Sequence, residues 1–176
     1  GDFDGVFLNF SGGNQGIQLV GQELAKRVRK ASFLYPIEIS ASAIRALTRG
    51  EASGPDRARA EAFLDATVRR KEENYERMLV ATRSAIDEGQ KVMVFGAPYL
   101  VKEFCERILA GGKRLLLPPG SIVGYGGGWK TFDGAQLTET ALLELIERAT
   151  GVKKESVIEA YSMTEIGAIM MKCEHG

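Results

Sequence analysis

Short apolar runs alternate with longer amphipathic runs along this chain, and the alternation constrains its fold more than any other feature. The clearest apolar run, Lys91–Gly96, predicts a buried strand, and Pro98 then begins a predicted helix. Pro36 predicts an edge strand or an irregular strand start, because proline cannot donate a ladder hydrogen bond. Strands are predicted at 4–10, 33–39, 91–96, 115–117, 121–123, 157–158 and 168–171. Strands alternating with helices predict a layered α/β sandwich with a largely parallel sheet flanked by helices.

Residues that cap or stop helices indicate where the predicted helices begin and end. Residues 17–30 carry apolar side chains at near-helical spacing, and a short helix is expected to end at Gly50. Pro55 opens a long helical region with one apolar side and one side rich in Arg, Glu and Lys. Thr138 caps a later amphipathic helix, and Gly151 follows its end. The whole chain, 1–176, is the size of a single α/β unit.

The composition excludes several classes of function. Lys+Arg and Asp+Glu both number 23, so no charge excess favours DNA, RNA or an acidic membrane surface as a partner. No apolar run approaches the roughly 20 residues that a membrane-spanning helix needs. The 2 cysteines form no disulfide framework, which predicts a cytoplasmic protein. The single histidine, His175, excludes most histidine-based catalysis.

A glycine-rich segment follows the predicted strand that ends near Val123. Three consecutive glycines, 126–128, precede Trp129 and Lys130. Glycine lets a backbone approach a flat ligand closely and supplies positive φ angles that other residues avoid. The segment therefore predicts either a ligand-binding wall or a tight turn with a half-buried Trp129 and a solvated Lys130.

The segment Tyr161-Ser162-Met163-Thr164-Glu165, followed by Ile166-Gly167, comes directly after the apolar run that begins at Val157. An aromatic ring can cover an adenine, a threonine hydroxyl can donate to a phosphate, and a carboxylate can hold Mg²⁺. Ligand groups gather at the carboxyl ends of strands in open α/β sheets. This position therefore predicts a nucleotide-binding motif.

Together the two segments resemble the adenylate-forming superfamily, which includes acyl-CoA synthetases and aryl ligases. The order of Gly127-Gly128 and the later Tyr161–Glu165 motif carries the resemblance, which is fullest over 91–176. The sequence Gly-Gly-Gly-Trp-Lys, with Leu-Pro-Pro-Gly before it, is most similar to that of the LuxE-type acyl-protein synthetases. It is also similar to the phenylacetate-CoA ligase group.

The resemblance implies a role for each matching residue, with ATP and Mg²⁺ bound. Tyr161 would stack on adenine, Thr164 would bond the α-phosphate, and Glu165 would hold Mg²⁺. Lys130 would reach a phosphate or a carboxylate, or hold its own loop in place. The backbone wall and its flank would be formed by Gly126, Gly127, Gly128 and Trp129. Ser162 departs from the glycine that is common in the superfamily, and it would either bond the nucleotide or fill space.

The resemblance also implies an activity and partners. A carboxylic acid, a fatty acid in the LuxE type, would be activated to acyl-AMP and passed to a thiol. The thiol would belong to CoA or to a protein cysteine, with an acyl reductase as a further partner. The Ser/Thr/Gly-rich phosphate loop and the C-terminal lysine of complete family members have no match here. We therefore expect an internal fragment of the large N-terminal domain of such an enzyme, inactive alone.

Several alternatives remain open. The enzyme could be a phenylacetate-type CoA ligase, or the chain could be a non-catalytic nucleotide-binding module or a structural α/β domain. The turn 11–16 before a helix could cradle a phosphate, although an ordinary turn is favoured. Cys105 is predicted to be a packed thiol. Cys173 and His175 could ligate a metal only with ligands from outside the chain. The basic run 69–71 is interpreted as a solvated helix face.

Overall fold

The computed structural model describes residues 3–10, 21–35, 41–127, 129, 134–163 and 168–171, with the backbone alone at 161–163 and 168–171. Its strands are β1 Gly5–Phe10, β2 Lys30–Phe33, β3 Lys91–Gly96, β4 Ile122–Gly126, β5 Val157–Met163 and β6 Ala168–Met171. Its helices are α1 Ala41–Thr48, α2 Gly54–Leu64, α3 Lys71–Asp87, α4 Pro98–Ala110 and α5 Glu139–Thr150. A π-helix spans Asp65–Arg69, a 3-10 turn spans Lys154–Ser156, and residues 21–25 are helical.

The strands form one 6-stranded sheet in the order β2-β1-β3-β4-β5-β6. Strands β1 to β5 all run parallel, and β6 pairs antiparallel with β5. The predicted α/β class with a largely parallel sheet is therefore confirmed. Strand β2 is an edge strand, but Pro36 comes after its end at Phe33 and lies outside the described residues, so the argument from Pro36 stays a prediction.

Two strand predictions are wrong, one in its bounds and the other in its existence. The predicted strand 33–39 begins earlier, at Lys30, and ends at Phe33. The leucines at 115–117 form no strand. Instead, the Leu115 N–H donates to the Ala149 carbonyl and the Leu117 N–H donates to the Thr150 carbonyl. An apolar run of 3 leucines thus packs beside the end of α5 and does not join the sheet. The length of an apolar run alone does not distinguish a strand from a segment that packs beside a helix.

The helix boundaries follow the predicted signals, with two exceptions. The predicted helical run 17–30 is helical only at 21–25 among the described residues, and β2 begins at Lys30. The Thr138 side chain accepts the Ala141 N–H at the start of α5, and Gly151 ends that helix at φ 75°. Gly50 follows α1 at φ 73°, as predicted. The long helical region from Pro55 is not continuous, because the π-helix and a non-helical Arg70 separate α2 from α3. Hydrophobic periodicity does not reveal such a break.

The two faces of the sheet have different surroundings. Side chains alternate along each strand, so residues two apart share a face. One face packs against α3, α4 and α5 in the larger apolar core, which includes Leu8, Val94 and Val123. We name it the helix-covered face. The opposite face, here the glycine face, carries Phe7, Phe95, Gly124, Gly126 and Ala160. Within the described residues, no helix is long and apolar enough to cross a membrane.

Candidate functional site

The glycine-rich segment and the Tyr161 motif lie on neighbouring parallel strands. Cα partners across β4 and β5 include Tyr125 with Glu159 and Gly126 with Ala160. Strand β4 ends at Gly126, and β5 continues through Tyr161. Both segments therefore reach the same edge of the sheet, which we name the carboxyl edge. This is the edge at which open α/β sheets bind ligands.

Glycines at this edge are required by close backbone approach. A Cβ on Gly126 would overlap the carbonyl oxygen of Ala160, and a Cβ on Gly124 would lie 2.7 Å from the Phe95 ring. Gly127 has φ 88°, a left-handed conformation that favours glycine. The positive φ predicted for this segment is confirmed at Gly127. Gly124 and Gly126 are both buried, Gly124 against the Phe95 ring and Gly126 against Ala160, whereas Gly127 is exposed.

The structure describes some of the predicted site residues. Trp129 is half-buried and packs against the larger core. The prediction that the Tyr161 motif follows a strand is corrected, because Tyr161 and Ser162 lie inside β5. Their Cα partners on β6 are Met170 and Ile169. The remaining predicted site residues lie outside the described part of the chain: Gly128, Lys130, Thr164 and Glu165.

The sequence analysis missed an acidic group at the same edge, formed by Tyr125, Glu159 and Glu139. Tyr125 is 5% exposed on the helix-covered face. Burial raises the pKa of Tyr125 to about 12, and the negative charges of Glu159 and Glu139 add to that effect. The signal was present, since Glu159 is an acid in an otherwise apolar run and is two residues from Tyr161. Its pairing with Tyr125, however, depends on the register between β4 and β5.

The strand order creates a second feature of the carboxyl edge. In the order 2-1-3-4-5, chain connections leave β1 and β3 toward opposite faces, which opens a crevice between the two strand ends. Gly96 ends β3 so close to Phe10 that a Cβ would overlap the Phe10 backbone. Asn9, which is 1% exposed, packs against Gly21 at the start of the helical segment 21–25. The turn 11–16 that follows β1 lies outside the described residues.

Two groups with possible chemistry prove to be structural. Cys105 is 1% exposed, and burial raises the pKa of its thiol to about 12, so the prediction of a packed thiol is confirmed. Arg69 and Arg70 both pair with Asp65, and Lys71 lies 2.8 Å from a Glu103 oxygen. These ion pairs favour the interpretation of the basic run as a helix face over a phosphate patch.

No three His, Cys, Asp or Glu side chains come together as a metal site in the described part of the chain. The predicted ligand Glu165, and also Cys173 and His175, lie outside that part. A surface depression of about 270 Å³ occurs at the opposite, amino edge of the sheet, beside the start of β1. It is lined by Phe3, Asp4, Lys26, Arg27, Val28 and Arg29. Three of its charges are paired: Arg29 pairs with Asp4, and Lys26 pairs with Glu23 outside the lining.

Comparison of the chain with protein-family models, with curated proteins and with solved structures gives no match. Support for a function therefore comes from the chemistry and position of the chain's own residues. The carboxyl edge of β4 and β5 has the strongest combination of both. It brings the glycines that end β4 beside β5, which runs through Tyr161, Ser162 and Met163.

Proposed function

We propose that this chain is the adenine- and Mg²⁺-binding part of an enzyme that activates a carboxylic acid with ATP. The acid is a fatty acid, and the acyl group passes from acyl-AMP to a thiol. The enzyme is thus an adenylate-forming ligase of the acyl-protein synthetase type. The supporting observation is the adjacency of Gly126 on β4 to Ala160 and Tyr161 on β5, at the carboxyl edge of a parallel sheet.

The backbone at this edge suits a flat ligand. Gly127, which follows β4 at φ 88° and is exposed, lets a planar base approach the peptide groups at the carboxyl edge. Phe95, which is 8% exposed, provides an apolar flank on β3. Strand alternation places position 161 on the same face as Glu159, opposite the glycine face. We therefore assign Tyr161 to stacking on an adenine at the strand ends and the backbone of Gly126, Gly127 and Gly128 to the wall beside it.

The chemistry proceeds in two steps. A carboxylate oxygen of the acid attacks the α-phosphorus of ATP, the bond to the β-phosphate oxygen breaks, and pyrophosphate leaves with the negative charge. A thiolate then attacks the acyl carbonyl, a thioester forms, and AMP leaves. Positioning of the two substrates supplies much of the rate, because there is little covalent work for the protein. Mg²⁺, when bound, would neutralise charge that develops on the phosphate oxygens.

The motif residues each have one task in this scheme. Thr164 donates a hydrogen bond to the α-phosphate, and the Glu165 carboxylate holds Mg²⁺. Lys130 reaches a phosphate or the acid. Glu159 and Glu139 are unsuited to phosphate, because two carboxylates repel it. We assign them to the protein side of the site, where they face Tyr125.

The test is carboxylate-dependent exchange between ATP and labelled pyrophosphate, measured on the full-length protein with a panel of fatty and aromatic acids. We expect exchange with a long-chain acid, lost in Glu165→Ala and retained in Glu174→Ala, which removes a carboxylate outside the motif. A folded protein that exchanges with no acid overturns the proposal. The 176-residue chain alone is expected to form no detectable acyl-AMP.

The same assay separates the alternatives. Exchange with aromatic acids and transfer to CoA alone would identify a phenylacetate-type CoA ligase. Tight Mg·ATP binding without exchange would indicate a non-catalytic nucleotide-binding module. If Tyr161→Ala and Glu165→Ala change stability but no ligand affinity, the two segments are structural.

A further inference from the structure

The α1–α2 hairpin has an apolar core of its own. Ala60 and Phe63 are buried at 1% and 9% exposure, and Ala43 and Leu47 pack against them. This cluster is separate from the larger core that α3, α4 and α5 form on the sheet. Among the described residues, the extensive contacts of α1 and α2 are with each other and with the π-helix, and none is with a strand. A unit packed in this way can move without opening the main core.

The hairpin is inserted at the carboxyl edge of the sheet. It follows β2, which leaves the sheet at that edge, and it precedes Lys71, where α3 begins. The last residue of α3, Asp87, is followed by a turn at Gly89 and by the amino end of β3 at Lys91. Helix α3 therefore starts at the carboxyl edge and ends at the amino edge. The hairpin thus lies on the edge to which the proposed function assigns the ligands.

The joint between the hairpin and α3 is the π-helix Asp65–Arg69. Arg70 departs from helical geometry at φ −101° and ψ 20°, which interrupts the helical hydrogen bonding between the two segments. Asn74 donates from Nδ2 to the Ala66 carbonyl at 2.8 Å, and Thr67 donates to the Phe63 carbonyl at 2.9 Å. Side-chain donors therefore form hydrogen bonds with backbone carbonyl oxygens at the joint. Short π-helical turns occur mostly where a helix serves a function.

The described ties between the hairpin's own core and the rest of the molecule are few. The Phe63 ring meets the Tyr35 ring edge-on, with centroids 6.3 Å apart. Beyond that ring contact, the Asn74 hydrogen bond to Ala66 links α3 to the π-helix. By contrast, α3 and α4 are tied by the buried Tyr75 and by the ion pair between Lys71 and Glu103. Among the described residues, α3 and α4 are therefore joined by more side-chain contacts than link the hairpin's core to its surroundings.

We propose that the α1–α2 hairpin is a lid, which moves as one body about the π-helical joint and closes over substrates bound at the carboxyl edge. Movement as one body follows from the separate core and the joint. Closure over Mg·ATP and a fatty acid rests in addition on the proposed function. The hairpin would exclude water from the acyl-AMP, a mixed anhydride that water hydrolyses.

The first part requires the hairpin to be a cooperative unit separate from the main core, and native-state hydrogen exchange at increasing low concentrations of denaturant tests this on the chain without ligand. Amides of α1 and α2 are expected to exchange as one group, with one opening free energy and one denaturant dependence. That exchange should be at least tenfold faster than the exchange of β3 and α4. If α1 and α2 exchange only with β3 and α4, the hairpin is part of the main cooperative unit and the proposal is wrong.

Two variants sharpen this test. Asn74→Leu removes the donor to the Ala66 carbonyl, and Phe63→Leu keeps an apolar side chain while it removes the ring contact with Tyr35. Each is expected to speed exchange of α1 and α2 by about fivefold to tenfold and to leave β3 unchanged. Glu73→Gln, an exposed position on α3, is the matched control and should change neither rate. Equal acceleration in β3 and α1 would overturn the proposal.

The ligand experiment uses the full-length protein with Mg·ATP and a long-chain fatty acid. Slower exchange both at Gly126–Gly127 and in α1 and α2 supports closure. Slower exchange at the glycines alone overturns closure while the proposed function survives. No change at either place contradicts the proposed function, and the ligand-free experiment then still decides whether the hairpin moves as a body.

Discussion

The two faces of the sheet are packed differently, although the same strands form both. On the helix-covered face, large side chains such as Phe10 and Phe104 are fully buried, and their rings lie 4.6 Å apart. On the glycine face, the buried cluster among the described residues consists of Phe7, Phe95 and Ala160, against half-buried residues such as Leu24. The first face is filled by side chains, whereas β4 has glycine on the second face at 124 and 126.

This difference teaches how one sheet can combine stability with binding. Close packing on the helix-covered face supplies most of the apolar burial. The glycine face can therefore have glycine, which has no side chain, on β4. Glycine in a strand interior weakens the strand, and it commonly marks a close approach of backbone or ligand. The comparison therefore predicts that substitutions on the helix-covered face affect stability and that substitutions on the glycine face also affect ligand binding.

The largest expected effect is from Phe104→Ala on the helix-covered face. The ring is 0% exposed, so its loss should leave a cavity and lower the free energy of unfolding by about 3–5 kcal/mol. Leu24→Ala, at a half-buried position over the glycine face, should cost about 1 kcal/mol. Urea unfolding followed by circular dichroism measures both. Equal losses would remove the distinction between the faces.

Gly126→Ala tests the close approach of β4 to β5. The added methyl group would overlap the Ala160 carbonyl, and we expect a loss of about 1–3 kcal/mol together with weaker Mg·ATP binding. Gly111→Ala is the control, because its φ is −71° and the nearest atom to its Cβ would be 3.4 Å away. That variant should be neutral or more stable by up to about 1 kcal/mol. Equal effects of the two variants on stability would mean that the close approach of β4 to β5 does not require glycine at 126.

The pH dependence of stability tests the acidic group beside β4. The pKa of Tyr125 is about 12 in the folded state, above the value of about 10 for an unfolded tyrosine. Its contribution is thus fully present below pH 10 and is lost as the pH rises from 10 to 12. Tyr125→Phe should flatten the decline of the urea midpoint over that range. Some decline should remain, because burial also raises the pKa of Tyr35 and Tyr75. An unchanged slope would contradict the assignment.

The smallest effect concerns Cys105 on the helix-covered face. Its thiol is buried and its pKa is raised to about 12, so thiolate forms rarely in the folded protein. In a Cys173→Ser background, a disulfide reagent should modify Cys105 at least a hundredfold more slowly in buffer than in denaturant. Rapid modification in buffer would show that this face opens more easily than its packing indicates.

Much of the fold could be predicted from the sequence, because local signals and global packing agree. Lys91–Gly96 is a buried strand as its apolar run indicates, and Thr138 and Gly151 bound α5. The leucines at 115–117 were misassigned, since a short apolar run packs equally well beside a helix end. The joint at Asp65–Arg69 was not predictable, because a π-turn leaves the apolar periodicity of the flanking helices nearly intact.

The candidate site was predictable only in part. Glycine at 126 and 127 indicated close approach and positive φ, which depend on the residue itself. The facing of Tyr125 and Glu159 depends on the register between β4 and β5, which the sequence of either strand alone does not specify. The roles of Thr164 and Glu165 remain predictions, because those residues lie outside the described part of the chain.

The most direct test of the central claim is to locate Mg·ATP on this chain by backbone amide chemical shifts. We predict that titration shifts the amides of Gly126, Gly127 and 161–163 at the carboxyl edge, and that Glu165→Ala abolishes the Mg²⁺-dependent part. Shifts confined to the amino-edge depression, at Lys26 to Arg29, would contradict this account. So would the absence of any shift at millimolar Mg·ATP.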